Sequence, residues 1–275
     1  MYNLCCISNE LKEQGYSFKT MTWKQFNKIR DTEGEERALF LLGERWFNNV
    51  VVTLECIEHC AREGWGYRVS SALFPCLTHP DQFNVLASEN QSSVDKTIAE
   101  LNHHGWVMDM LGCDRSYYNP MNIHVNCTKG ELSDIAARFM SNLNKCDQSV
   151  TSRLVVENED KGCWTVANLL EHFDIPITYD NLHDKCNPSQ LQCRVHPAWG
   201  MSSCAATWGN IRPLFHYSES HPDKTNQRSH ADMPTDRPCS DQYDWDIELK
   251  SKDAAIRELA MIELVQQSEE MGLYK

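Results

Sequence analysis

The sequence predicts one α/β domain of alternating strands and helices, either a doubly wound sheet or a (β/α)8 barrel. Seven short apolar or β-branched runs recur along the 275 residues, and helical patterns separate them. No repeat or low-complexity linker divides the chain, so residues 1–275 are expected to form a single domain. The composition, 41% hydrophobic and 24% charged, excludes disorder. No apolar run reaches the ~18 residues of a membrane span, and Met1 to Cys6 lacks the basic and apolar regions of a signal peptide. A cytoplasmic protein is expected.

In chain order, the first strand is 4–8 (Leu-Cys-Cys-Ile-Ser). Residues 14–30 follow it with Lys19, Lys24, Lys28 and Arg30 and no acid, interleaved with Tyr16, Phe18, Trp23 and Phe26. Basic groups for phosphates alternating with rings for stacking predict a loop facing nucleic acid, with a solvated, partly packed loop as the plainer reading. A helix over 38–62 carries Leu39, Leu42, Trp46, Val50 and Leu54 on one face, which is expected to be buried. Cys56, His59 and Cys60 on that helix read as packing. Strand 67–71 follows, then helix 94–111, with Ser92 and Ser93 as capping residues and Gly112 as its stop. The remaining strands are 122–125, 154–157, 176–179, 213–217 and 245–249, with helices at 132–143, 166–173 and 254–267. His103, His104, His172, His196 and His221 read as surface or packing residues, and Trp164, Trp199 and Trp208 as packing for outer helices. The thirteen cysteines are an odd number without a Cys-x-x-Cys pair and are expected to be reduced thiols.

Most of these strands end in a metal-ligand side chain: His124, Glu157, Asp180, His216 and Glu248. In a barrel, C-terminal strand ends converge on one axis. His183 follows three residues after Asp180, His230 stands with Asp232 in Ser229-His-Ala-Asp232, and His79 stands in Thr78-His-Pro-Asp-Gln82. Five imidazoles and three carboxylates suit Zn2+ or Mn2+, and eight ligands exceed what one ion takes. Two or three ions sharing a bridging carboxylate are therefore expected, which suits phosphodiester hydrolysis. A net charge of −13 argues against binding that rests on phosphate neutralisation alone, unless the metals supply the positive potential.

The ordered runs Cys6-Ile-Ser-Asn-Glu10, Tyr67-Arg-Val-Ser-Ser71, Leu73-Phe-Pro75, His79-Pro-Asp-Gln-Phe-Asn-Val-Leu-Ala-Ser88, Ile123-His124, Val156-Glu-Asn-Glu-Asp160, Asp180-x-x-His183, His216-Tyr-Ser-Glu-Ser220, Ser229-His-Ala-Asp232 and Glu248-x-Lys250 resemble the UV damage endonucleases along the whole chain. The resemblance implies a TIM (β/α)8 barrel related to the endonuclease IV class, and a trinuclear Mn2+ or Zn2+ site. It also implies incision of damaged double-stranded DNA immediately 5′ to a photolesion, leaving a 3′-hydroxyl. Carried over, His79, His124 and Glu157 hold one metal, and Glu157 bridges to a second held by Asp180, His216 and Glu248. His183 and His230 hold the third. Glu157, Asp180 and Glu248 are the catalytic carboxylates, and Gln82 and Phe83 probe the lesion. Lys19, Lys24, Lys28, Arg30 and Lys250 are candidates for the DNA backbone. A monomer, nucleoid-associated during repair, is expected.

The chain departs from that family in places. Leu4 stands where an aromatic is usual, Asn126-Cys127 where Gly-Gly is usual, and Leu214 where some members have Lys. The larger departure is an apparent internal deletion near residues 76–82, where two His-Pro segments of the family run together. A helix and most of a strand are expected to be missing, leaving a local gap around residues 71–92, seven recognisable strands, and activity reduced by the lost unit. Two other readings share part of the pattern. One is a catalytically impaired relative that binds damaged DNA or only folds. The other is a xylose-isomerase-like sugar isomerase or epimerase, which leaves Gln82, Phe83 and the basic aromatic segment unexplained.

Overall fold

The computed structural model describes residues 1–69, 73, 85–189, 197–239 and 241–270. All seven predicted strands are present among them: β1 (Tyr2–Cys5), β2 (Gly66–Arg68), β3 (Met121–Ile123), β4 (Leu154–Glu157), β5 (Ile177–Thr178), β6 (Leu214–Tyr217) and β7 (Asp244–Ile247). Their register-defined pairings are parallel. The predicted junction at 76–82 lies outside the described residues, as do His79, Gln82, Phe83 and His196. Leu86 and Ala87 are buried in a turn closed by Ser88 N–H donating to Val85 O at 3.0 Å.

The chain forms two compact units. One comprises residues 1–79, 230–241 and 245–275. In it β1 lies between β2 and β7, with Leu4 opposite Tyr67 on one side and Ile247 on the other. Leu4 and Ile247 are fully buried, as expected for a parallel strand covered on both faces. Between β1 and β2 come α1 (Asn9–Glu13), α2 (Trp23–Glu33) and α3 (Glu35–Glu63), and the unit ends with α10 (Asp253–Glu270).

Two sequence expectations fail here. Trp23 to Arg30 is not a loop, because Thr22 and Gln25 close a capping box that starts α2. Phe26 goes into the core with Met21 and Ala38, and Tyr16 and Phe18 pack against Ile7, Leu11, Val52 and Cys56, so only Trp23 of the four rings stays exposed. The predicted inner face of α3 is also wrong: Leu39, Trp46 and Leu54 are about half exposed. The buried face carries Ala38, Asn49, Val52, Thr53, Cys56, His59 and Cys60. Asn49 explains the inversion. Its Oδ1 accepts the Lys19 N–H at 2.7 Å and its Nδ2 donates to Lys19 O at 2.9 Å, so a polar residue faces inward to satisfy the backbone of the preceding segment. Gly64, at φ +74°, ends α3 in the left-handed conformation that glycine adopts without strain.

The other unit comprises residues 80–229 and 242–244. It contains α4 (Gln91–Met110), α5 (Leu132–Leu143), α6 (Gln148–Thr151), α7 (Val166–His172), α8 (Asn181–Cys186) and α9 (Pro197–Ala206). Asn90, not Ser92 or Ser93, caps α4. β4 lies between β3 and β5, and β6 joins the end of β5 through a parallel bridge between Asp180 and His216. Every residue of β4 is buried. The helices cover this sheet with an aromatic cluster in which Phe139 meets Phe173 edge-on at 5.2 Å and Trp164 meets Phe173 at 5.4 Å. Trp164 and Trp208 are buried as expected and donate their ring N–H groups to Cys127 O at 2.6 Å and Ile177 O at 2.9 Å. Trp199 departs from the expectation and is 39% exposed. The eleven described cysteines are free.

Candidate metal centre

Parallel strands bring their C-terminal ends to one edge of a sheet, and the second unit places a titratable group at each. His124 follows β3, Glu157 ends β4, Asp180 follows β5 and starts α8, and His216 lies in β6. His183 comes one turn into α8, where Asp180 caps the helix by accepting the His183 N–H at 2.7 Å.

Glu157 sits at the centre. Its Oε1 is 3.2 Å from Nδ1 of both His183 and His216, and its Oε2 is 3.8 Å from His124 Nε2. Asp180 Oδ2 lies 3.8 Å from His216 Nδ1 and 3.9 Å from His183 Nδ1. Two donor groups result, His124–Glu157–His183 and Glu157–Asp180–His216, each with its ligand atoms within 4.8 Å of one another, and Glu157 belongs to both. Glu157, Asp180 and His216 are buried, and His124 and His183 are partly exposed.

Burial alone would raise the Glu157 carboxyl, but His216 and His124 beside it and the hydrogen bonds of His183 and His216 hold it well below the ordinary carboxylate range. His183 moves the other way. Burial opposes its charge, yet the hydrogen bond to Glu157 and the nearby Asp180 and Glu157 carboxylates push it up to about 10. The donor set fits a divalent ion: nitrogen and oxygen ligands of the kind Zn2+ and Mn2+ take, and a buried His124 Nδ1 that makes no hydrogen bond.

Sequence reasoning missed the residues that hold these groups. Asn158 donates to Asp180 O at 3.0 Å and accepts the Asp180 N–H at 2.8 Å, and its own carbonyl lies 2.9 Å from His183 Nδ1. Asn122 donates to Glu157 Oε2. Asn181 pairs reciprocally with Ser218, at 2.9 Å each way. The available signal was an asparagine directly after two of the strand-end carboxylates, Glu157 and Asp180. Asn126, at φ +53°, takes a left-handed conformation that asparagine tolerates better than most residues.

His230 and Glu248 belong to the first unit. His230 Nδ1 lies 2.9 Å from Glu248 O, which leaves Nε2 for another partner. The Glu248 carboxylate pairs with Arg68 Nη1 at 2.6 Å, and the same nitrogen lies 3.4 Å from Asp246. Of the backbone candidates, Lys24 and Lys28 are exposed one turn apart on α2, Lys19 and Lys250 are exposed in loops, and Arg30 pairs with Asp31 at 2.9 Å.

The model of the family UV-endonuclease UvdE matches residues 76–272. The chain is 28% identical to a UV DNA damage endonuclease of Nostoc sp., over 93% of this chain and 88% of that one. It is 24% identical to one of Bacillus pumilus, over 88% of this chain and 87% of that one. Against the UV-damage endonuclease of Neurospora crassa, identity is 30% over 66% of this chain and 30% of that one. The crystal structure of SacUVDE superposes with a TM-score of 0.76 at 20% identity, covering 98% of each chain, so the two share a TIM-barrel-like α/β fold.

Proposed function

The chain belongs to the UV-endonuclease UvdE family and is an endonuclease of UV-damage repair, and from that premise we propose that it nicks double-stranded DNA immediately 5′ to photolesions in a divalent-metal-dependent reaction, leaving a 3′-hydroxyl. The observation that carries the metal dependence is Glu157, a buried carboxylate shared by two donor groups.

In this reading His124, Glu157 and His183 hold one ion, and Glu157, Asp180 and His216 hold a second. The family resemblance also assigns metal-ligand roles to Glu248, His230 and His79. When bound, Mn2+ or Zn2+ supplies a hydroxide near neutral pH and positive charge for the phosphate oxygens and the leaving alkoxide. The chain's own part is placement. Asn158 fixes Asp180 through its side chain and the His183 ring through its carbonyl, which faces Nδ1. Arg68 holds the Glu248 carboxylate. Gln82 and Phe83 fill the gap left by unstacked damaged bases, and Lys24 and Lys28 bind backbone phosphates. The protein acts as a monomer, in the cytoplasm, on DNA of the nucleoid.

UV-irradiated and intact supercoiled plasmid, each incubated with Mn2+, test the proposal. Nicks are expected only in irradiated plasmid, with 3′ ends that a DNA polymerase extends directly. Equal nicking of intact plasmid, or ends that need prior trimming, would overturn it.

A further inference from the structure

A second group of ligand-type side chains lies in the first unit, among residues given no role above. Glu10 of α1, His59 of α3 and Asp253 at the start of α10 place a ring nitrogen and two carboxylate oxygens within 4.8 Å of one another. His59 is only 4% exposed, and its Nε2 is buried without a hydrogen-bond partner. The group thus brings close an imidazole and two carboxylates while one ring nitrogen stays unsatisfied. Leaving a buried polar atom unsatisfied costs about 1–3 kcal/mol unless something bridges it.

The surroundings favour a cation. Asp253 is 2% exposed, and its carboxylate accepts the backbone N–H groups of Asn9 at 2.8 Å and Glu10 at 3.4 Å, which fixes its orientation while leaving lone pairs unused. Arg257 pairs with Glu10 and, at 3.2 Å, with Glu63. Arg257 thus faces two carboxylates, Glu10 and Glu63, while Asp253 adds a third acid beside His59, so these groups together carry an excess of two negative charges, which matches a divalent ion. The Trp65 ring meets His59 edge-on at 5.8 Å and carries Arg257 over its face at 5.5 Å, so both flanks of the imidazole are constrained.

We propose that Glu10, His59 and Asp253 form a separate divalent-cation site, with Zn2+ as its preferred occupant, that ties the N-terminal helix α1 and the C-terminal helix α10 to α3. One nitrogen and two oxygen ligands with an open fourth position suit Zn2+, which binds such donors more tightly than Mn2+. The role is structural, because the three ligands join segments far apart in sequence, and a closed long loop gains most from a clip.

The test is the zinc content of the full chain after equilibration with Zn2+ and gel filtration. It is read for the wild type, Glu10→Gln, His59→Gln and Glu157→Gln. Glu10→Gln and His59→Gln are each expected to lose one equivalent and to keep damage-dependent nicking. The remaining site of Glu157→Gln should still be filled, so loss at the strand-end centre and loss here are separable. Glu10 is partly exposed, so its variant decides the matter if His59→Gln fails to fold. An unchanged zinc content in Glu10→Gln, or a wild type that retains no zinc, would overturn the proposal.

Discussion

Glu157 concentrates the chemistry at the scale of single residues. Three imidazoles and an asparagine crowd one buried carboxylate, so Glu157→Gln removes charge without volume. Incision by Glu157→Gln and by Asp180→Asn should be abolished with little change in Tm, and Mn2+-dependent turnover in either would contradict the assignment. Asn158→Ala should weaken metal binding about 10- to 100-fold, measured by metal titration, because two ligands lose their positioning partner. His183 gives a pH dependence. With its pKa raised from 6.5 to about 10 in the metal-free protein, its positive charge adds stability that is fully present below 6.5 and lost as pH rises through 10. A ligand must be neutral, so ion binding at pH 7 to 8 should release this proton and tighten as pH rises toward 10. Calorimetry in buffers of different ionisation enthalpy reads that proton directly, and buffer-independent heats would refute it.

At the scale of elements, the strand positions were legible because each buried parallel strand is a short apolar run, as Leu154-Val-Val-Glu157 shows. Helix faces were less so. In α3 the apolar stripe of Leu39, Trp46 and Leu54 points outward, and the inward face holds Asn49, Thr53 and His59. An apolar-moment argument cannot see that Asn49 is needed to satisfy the Lys19 backbone. The segment 23–33 misled for the related reason that a capping box outweighs a loop-like mixture of charges and rings. Phe139 of α5 is the clearest packing test. It is fully buried and stacked edge-on with Phe173, and Phe139→Ala should cost about 3–5 kcal/mol in urea unfolding.

For the whole molecule, charge and length set the remaining expectations. In the proposed function, a net charge of −13 leaves DNA affinity to a few exposed cations and to the metal the site would hold. Lys24→Ala and Lys28→Ala should each weaken binding of irradiated and intact duplex alike and lower the salt slope by about 1, as read by binding isotherms at several salt concentrations. A change confined to irradiated duplex would assign these lysines to lesion reading instead. The alignment with the Nostoc relative runs over 297 positions against a chain of 275, so that relative carries residues with no counterpart here. By itself the sequence determined the alternating α/β class, the seven described strands and the His, Glu and Asp residues at their ends, because short apolar runs and their terminal polar residues are local in sequence. Tertiary structure alone decided which of these side chains meet. His183 comes beside His124 and Glu157, Asn158 locks Asp180 and His183, and Glu10, His59 and Asp253 come together from three distant helices. Those contacts depend on side-chain direction and long-range packing, which no local pattern encodes.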